Sequence, residues 1–111
     1  MKRGDLVTIA VSGDYGKPRP AVVIQADAFS DLGSVTVLRL TGTLHDMPLI
    51  RVTIQPSLEN GLRVASQVMI DRAISVPRDK TGAAFGMVDA QTMRAVDLAL
   101  AAFLGLDATS P

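Results

Sequence analysis

The chain has 111 residues, 48% of them apolar, with 11 basic and 11 acidic side chains and no cysteine. That length suits one cooperative domain and is too short for two ordinary ones; the lack of thiols excludes disulfides, thiolate metal sites and a cysteine nucleophile. The zero net charge argues against holding long nucleic acid by bulk charge, so any nucleic-acid role must rest on a local basic patch, and residues 1 to 88 carry only a slight excess, ten bases against eight acids.

Taken in chain order, the start Met1-Lys2-Arg3-Gly4-Asp5 is polar, and the apolar run Leu6 to Val11 is broken by Thr8. This is neither a signal peptide nor a membrane span, and the expectation is a soluble cytoplasmic protein with no membrane contact. Leu6 to Val11 and Ala21 to Gln25 are rich in β-branched residues and read as strands, separated by the turn formers Ser12 to Pro18. Val35 to Leu40 is a third strand ending at Thr41-Gly42-Thr43. Ile50 to Ile54 is a fourth, with Ile50, Val52 and Ile54 inward and Arg51, Thr53 and Gln55 outward. Pro56 to Gly61 is a turn, Ser66 to Asp71 a fifth strand, and Ala73 to Val76 a further short one before Pro77. The period then changes: Met93, Val96, Leu100, Phe103 and Leu104 fall at helical spacing, with Asp89 placed to cap the start and Gly105 to end the helix. An amphipathic helix needs an apolar surface to cover, and a curled antiparallel sheet of five or six short strands supplies one. The fold class expected is mainly β with one C-terminal helix (α+β), an SH3-like small barrel. Residues 1–107 form its single domain, and 108–111 a frayed tail.

Lys2-Arg3-Gly4-Asp5-Leu6-Val7, the glycine-bearing loop, and Gly16-Lys17-Pro18-Arg19-Pro20-Ala21-Val22-Val23-Ile24-Gln25 together resemble the opening of MazF/PemK toxins. Thr41, Val68-Met69-Ile70-Asp71 and the closing helix extend the similarity over almost the whole chain. The resemblance implies a small barrel of the CcdB/MazF type, a homodimer, cleavage of single-stranded RNA without a metal or other cofactor, and neutralisation by a cognate antitoxin, with operator DNA reached only through that antitoxin. Two features depart from the family pattern. The first loop is shorter than in many relatives, and Met69 stands where some members carry a second functional arginine.

Metal-free RNA cleavage requires the ribose 2′-hydroxyl to attack the adjacent phosphate, with a proton acceptor, a proton donor and positive charge on the phosphoryl oxygens. Arg19 lies between two prolines, where a stiff backbone can aim a guanidinium fork at a phosphate; the ordinary alternative is a surface ion pair, and the resemblance matches it to the family's catalytic arginine. An arginine surrenders a proton only with difficulty, so stabilising the transition state is its natural part. Thr41, followed by Gly42, offers a hydroxyl and nearby amides to a phosphate oxygen, or else simply caps the turn. Asp71 matches an acid that is the general base in some relatives; its alternative is a pair with Arg72 or a turn cap. Asp14, Tyr15 and Lys17 in the first loop, together with Gly42 and Arg72, are candidate substrate contacts, the lysine on phosphate and the tyrosine stacking on a base. Arg51, Arg63, Arg72, Arg78 and Lys80 give the central segment a basic tilt that either borders an RNA groove or is a solvated face. His45 is the only histidine, which excludes a paired-histidine mechanism, and no acidic cluster has ligand spacing, so no metal site is expected.

Two other classes compete with a ribonuclease. A CcdB-like toxin that binds and poisons a protein such as a topoisomerase does not need Arg19 and Thr41 together. An SH3-like peptide-binding module normally carries an aromatic groove, whereas this chain has one tyrosine, three phenylalanines and no tryptophan.

Overall fold

In the computed structural model, which describes residues 1–10 and 17–106, six antiparallel strands form one curled sheet: β1 (Asp5–Ile9), β2 (Arg19–Val23), β3 (Ser34–Thr41), β4 (Arg51–Ile54), β5 (Ser66–Pro77) and β6 (Gly86–Met87), followed by the helix α1 (Ala90–Leu104). The strand order is β4-β5-β3-β2-β1-β6. Met87 N–H donates to Glu59 O at 2.9 Å, which ties β6 to the loop after β4 and brings the two sheet edges together. The result is a half-barrel with one helix, as the alternation of the strands and the change of period had indicated.

Both faces of the central strands are buried, and for that reason they read as nearly continuous apolar runs. Leu6, Val22, Leu38, Leu40, Val68 and Ile70 point one way and meet Val96 of α1; Val7, Ile9, Ala21, Val23, Val35, Val37 and Val76 point the other. At roughly 1.5–3 kcal/mol for each fully buried aliphatic side chain, these two clusters supply the main favourable free energy of the fold. The helix begins at Asp89, whose carboxylate accepts from Thr92 N–H at 2.7 Å. It ends at Gly105, whose φ of 71° is the left-handed conformation that closes a helix. Phe103 and Leu104, expected on the covering face of this helix, are about half exposed, at 50% and 53%.

Three further differences from the sequence reading have local causes. The fifth strand and the short one expected after it are a single element, β5, because an irregularity absorbs the polar pair Asp71-Arg72: between Leu40↔Val68 and Leu38↔Ala73, β3 offers only Arg39 to four residues of β5, 69–72. The chain bends there without leaving the sheet. Strand β6 carries no alternation of its own; it exists because Asp5 and Leu6 pair with Met87 and Gly86. The first two strands are also displaced, to Asp5–Ile9 and Arg19–Val23, by the register Leu6↔Val22 and Ile9↔Arg19.

Candidate functional site

The second face of the sheet changes character along its length. Val7, Val23 and Val37 make it apolar at one end; at the other, the register lines up Ile9 with Arg19, Thr41 with Gln67, and Gln67 with Thr53. Ala21 is paired with Arg39, and Arg19 and Thr41 each lie two residues beyond that pair, at the start of β2 and the end of β3. Adjacent to this row stands a second one, in which Met69 is paired with Arg51. Charged and hydroxyl groups from four strands, β2 to β5, are therefore presented on one surface.

Arg19 is the first residue of β2 and is exposed, held between Pro18 and Pro20 at the mouth of the sheet. Thr41 is the last residue of β3. Its Oγ1 accepts from Thr43 N–H at 3.1 Å, so the hydroxyl does cap its turn, and that amide is spent locally rather than aimed at a ligand. That bond uses the hydroxyl as an acceptor and does not engage its proton. Gly42 is exposed at the start of the following loop, and Lys17 is exposed just ahead of β2.

Asp71 sits four residues beyond Gln67 on β5, past Met69. Its chief partner is Arg51 rather than Arg72, the pairing weighed as an alternative from the sequence: Nη1 of Arg51 donates to Asp71 Oδ1 at 2.6 Å, whereas Arg72 Nε stands 3.8 Å from Oδ2. The hydrogen bond from Arg51, opposed by partial desolvation and reinforced by the guanidinium charge, holds the Asp71 carboxyl below the usual range near 3.8, so it is ionised at neutral pH. The Arg51 side chain is only 9% exposed and that of Arg72 64%. Of the two alternatives the sequence left for Arg51, the solvated face is thus excluded, while Arg72 remains open to solvent.

Gln67 was missed altogether by the sequence reading. It is 5% exposed; its Nε2 donates to His45 O at 3.0 Å and Thr53 Oγ1 at 3.1 Å, and its Oε1 accepts from His45 N–H at 3.0 Å. One amide therefore pins the loop after Thr41 against β4. The available signal was a lone amide inside the apolar run Gln67-Val68-Met69-Ile70, whose polar atoms must find partners once buried. His45 is a loop residue, anchored through its backbone to Gln67.

The opening motif divides its work. Arg3 Nε donates to Ile24 O at 2.7 Å and its guanidinium pairs with Asp97 of α1, while Arg3 N–H donates to Asp27 Oδ1 at 2.7 Å. Gln25 Oε1 accepts from Thr36 N–H at 3.0 Å. These residues fasten the helix and the β2–β3 connection, and leave Arg19 as the member of the motif that faces the polar row. Asp14 and Tyr15, candidates for substrate contact, lie outside the described residues.

A cleft of about 500 Å³ between the loop after β4 and the start of α1 shares only Thr53 with this surface, and it is lined by Glu59 and Asp89. Two carboxylates repel a polyanion, so size does not make it the RNA site. Among the described residues no three His, Asp or Glu side chains gather in a way that could hold a metal ion, and no helix is long and apolar enough to cross a membrane.

Comparison with known proteins bears on this geometry directly. Residues 2–104 match the family described as PemK-like, MazF-like toxin of type II toxin-antitoxin system. A protein of Mycolicibacterium smegmatis named "Probable endoribonuclease MazF" is 42% identical over 107 residues, 96% of this chain and 98% of its own length. An endoribonuclease solved in complex with its cognate antitoxin, from a mycobacterial species, superposes with a TM-score of 0.81 at 25% identity, covering 96% of both chains. The Mycobacterium tuberculosis toxin MazF-mt6 shares the fold, with a TM-score of 0.79 at 23% identity over 93% of this chain and 98% of its own. With its half-barrel, closing helix and near-complete coverage, the chain belongs to the PemK-like, MazF-like toxins of type II toxin–antitoxin systems.

Proposed function

We propose that this MazF-type toxin is a sequence-selective endoribonuclease that cleaves single-stranded RNA without a metal, and that a cognate antitoxin neutralises it. The observation that supports this reading is the placing of Arg19 at the start of β2 and Thr41 at the end of the neighbouring β3, each two residues beyond the Ala21↔Arg39 pair. Arg19 places its guanidinium on the scissile phosphate, and the Thr41 hydroxyl donates to a phosphoryl oxygen. Both contacts strengthen as charge accumulates in the transition state, where a hydrogen bond accelerates the reaction. Asp71 is ionised and accepts the 2′-hydroxyl proton. The 2′-oxygen then bonds to phosphorus, the bond to the 5′-oxygen breaks, and that oxygen takes up a proton, leaving a cyclic phosphate and a 5′-hydroxyl.

Exposed Arg72, Lys17 and the Gly42 amide extend the contact to neighbouring phosphates, with Asp14 and Tyr15 contributing from the first loop. The neutral overall charge fits a substrate held at a few nucleotides rather than along a duplex. As in the complex formed by the mycobacterial endoribonuclease, the antitoxin is the protein partner, and operator DNA is met only through it. The toxin acts in the cytoplasm as a homodimer, in which a second copy covers exposed apolar residues such as Leu49 (84%) and Leu98 (61%).

The test is incubation of the purified protein, in chelator, with mixed single-stranded RNA, comparing wild type with Arg19→Ala. Cleavage by the wild type alone supports the reading. Equal cleavage by both moves the chemistry away from Arg19, and no cleavage by either across a broad RNA panel moves the function to poisoning of a protein target.

A further inference from the structure

The Arg51–Asp71 pair is an unusual use of an edge strand. β4 is the outermost strand on its side of the sheet, where an arginine can ordinarily extend into water. Instead the Arg51 side chain is 9% exposed, and its Nε is buried without a hydrogen-bond partner among the described residues. Nη1 reaches both Ile50 O at 2.9 Å and Asp71 Oδ1 at 2.6 Å. Sequestering a guanidinium in this way stabilises a fold little better than apolar side chains would, so stability alone is a weak reason for it. The position of Asp71 supplies a stronger one. It lies in the irregular stretch where four residues of β5 face only Arg39 of β3, and such bulges re-aim side chains. Oδ1 is anchored, whereas Oδ2 faces the exposed Arg72 at 3.8 Å, beyond hydrogen-bond range.

We infer that Arg51 is a positioning residue of the ribonucleolytic centre: by fixing Oδ1 of Asp71 it presents Oδ2 to the 2′-hydroxyl of the bound RNA. This rests on the ribonuclease reading with Asp71 as proton acceptor. Among the described residues, the charges acting on the carboxylate are Arg51 from β4 and Arg72 from β5 itself, while Arg39 is the residue of β3 opposite the bulge. Arg51 makes the close side-chain hydrogen bond to this carboxylate, and its removal therefore shifts the carboxyl toward its ordinary range, in keeping with the direction in which the pair holds it. Met69, directly across from Arg51 in the β4–β5 register, is the place from which a relocated guanidinium would reach the same carboxylate.

The experiment measures kcat and KM for RNA cleavage in chelator as a function of pH, with wild type, Arg51→Met, Arg51→Lys, Asp71→Asn and the double variant Arg51→Met/Met69→Arg, all checked for folding by circular dichroism. Arg51→Met is expected to lower kcat by about tenfold or more with little change in KM, and to move the acidic limb of the profile to higher pH. Arg51→Lys falls between it and wild type, the double variant restores the limb, and Asp71→Asn abolishes it. An unchanged acidic limb in Arg51→Met overturns the inference, as does a lowered rate that the double variant fails to rescue; if Arg51→Met does not fold, the same criteria apply to Arg51→Lys. Full cleavage by Asp71→Asn overturns it too, yet leaves the ribonuclease standing, whereas a wild type that cleaves no RNA removes both.

Discussion

Replacing Gln67 with leucine tests whether a single buried amide assembles the loop beside Thr41. The substitution keeps the volume and removes three hydrogen bonds, to His45 O at 3.0 Å, from His45 N–H at 3.0 Å and to Thr53 Oγ1 at 3.1 Å. At about 0.5–1.5 kcal/mol net for each, the sum is about 1.5–4.5 kcal/mol. His45 is exposed, so its backbone groups regain water when released, and the lower part of that range applies: about 2 kcal/mol. For a domain of this size that corresponds to a fall in Tm on the order of 8–12 °C, measured by thermal and urea unfolding followed by circular dichroism. Thr53→Val removes one of the three bonds and is expected to cost about 1 kcal/mol. In the double variant the two losses are less than additive, since Gln67→Leu has already taken the shared bond. The freed loop also raises KM for RNA severalfold, because Thr41 and Gly42 enter the loop that Gln67 holds. A loss below about 0.5 kcal/mol, the range of a neutral surface change, together with an unchanged KM, would refute the assignment of Gln67 as the anchor.

Gly86→Ala places a Cβ about 2.3 Å from Asn60 O. That carbonyl belongs to a turn whose Asn60 Oδ1 accepts from Ser57 N–H and Leu62 N–H, both at 2.9 Å. Backbone so held cannot retreat cheaply, and a destabilisation of about 1–3 kcal/mol in urea unfolding is expected; wild-type stability would mean that the turn yields. Asp89→Ala removes the helix cap and lowers Tm at neutral pH, Asp89→Asn less so. The bonds from the Thr92 amide and hydroxyl hold the Asp89 carboxyl below its usual value near 3.8. The stabilisation is thus fully present above that value and is lost as pH falls through the lower folded one. The gap in Tm between wild type and Asp89→Ala should close in strongly acidic buffer, and a gap constant across pH would contradict a cap made by the ionised carboxylate.

What could be read from the sequence follows from how local each cause is. Alternating Ile50, Val52 and Ile54, the β-branched runs before and after the first loop, and the helical spacing from Met93 to Leu100 carry their own signal, and each became an element or part of one. Strand β6 did not, because two residues, Gly86 and Met87, are strand only through pairing with Leu6 and Asp5. Likewise Asp71-Arg72 reads as a break in the chain, and only a sheet able to set four residues against one keeps β5 continuous. The same non-local register governs the site. Arg19 and Thr41 stand apart in sequence, and each lies two residues beyond the Ala21↔Arg39 pair that joins β2 to β3, so residue chemistry alone favoured a surface ion pair for Arg19 over a phosphate ligand. The part played by Arg51 was left open for the same reason: alternation places it outward, but outward on that strand is where Asp71 of the neighbouring strand lies. The opening motif shows how this separates fold from function. Arg3 is consumed in fastening Asp97 of the helix and Ile24 at the end of β2, whereas Arg19, at the other end of the same strand, is presented to the polar row. One arginine ties the helix to the sheet, and the other is the residue on which the proposed phosphate contact rests, a contact that stabilises a transition state best where its donor is held in place beforehand.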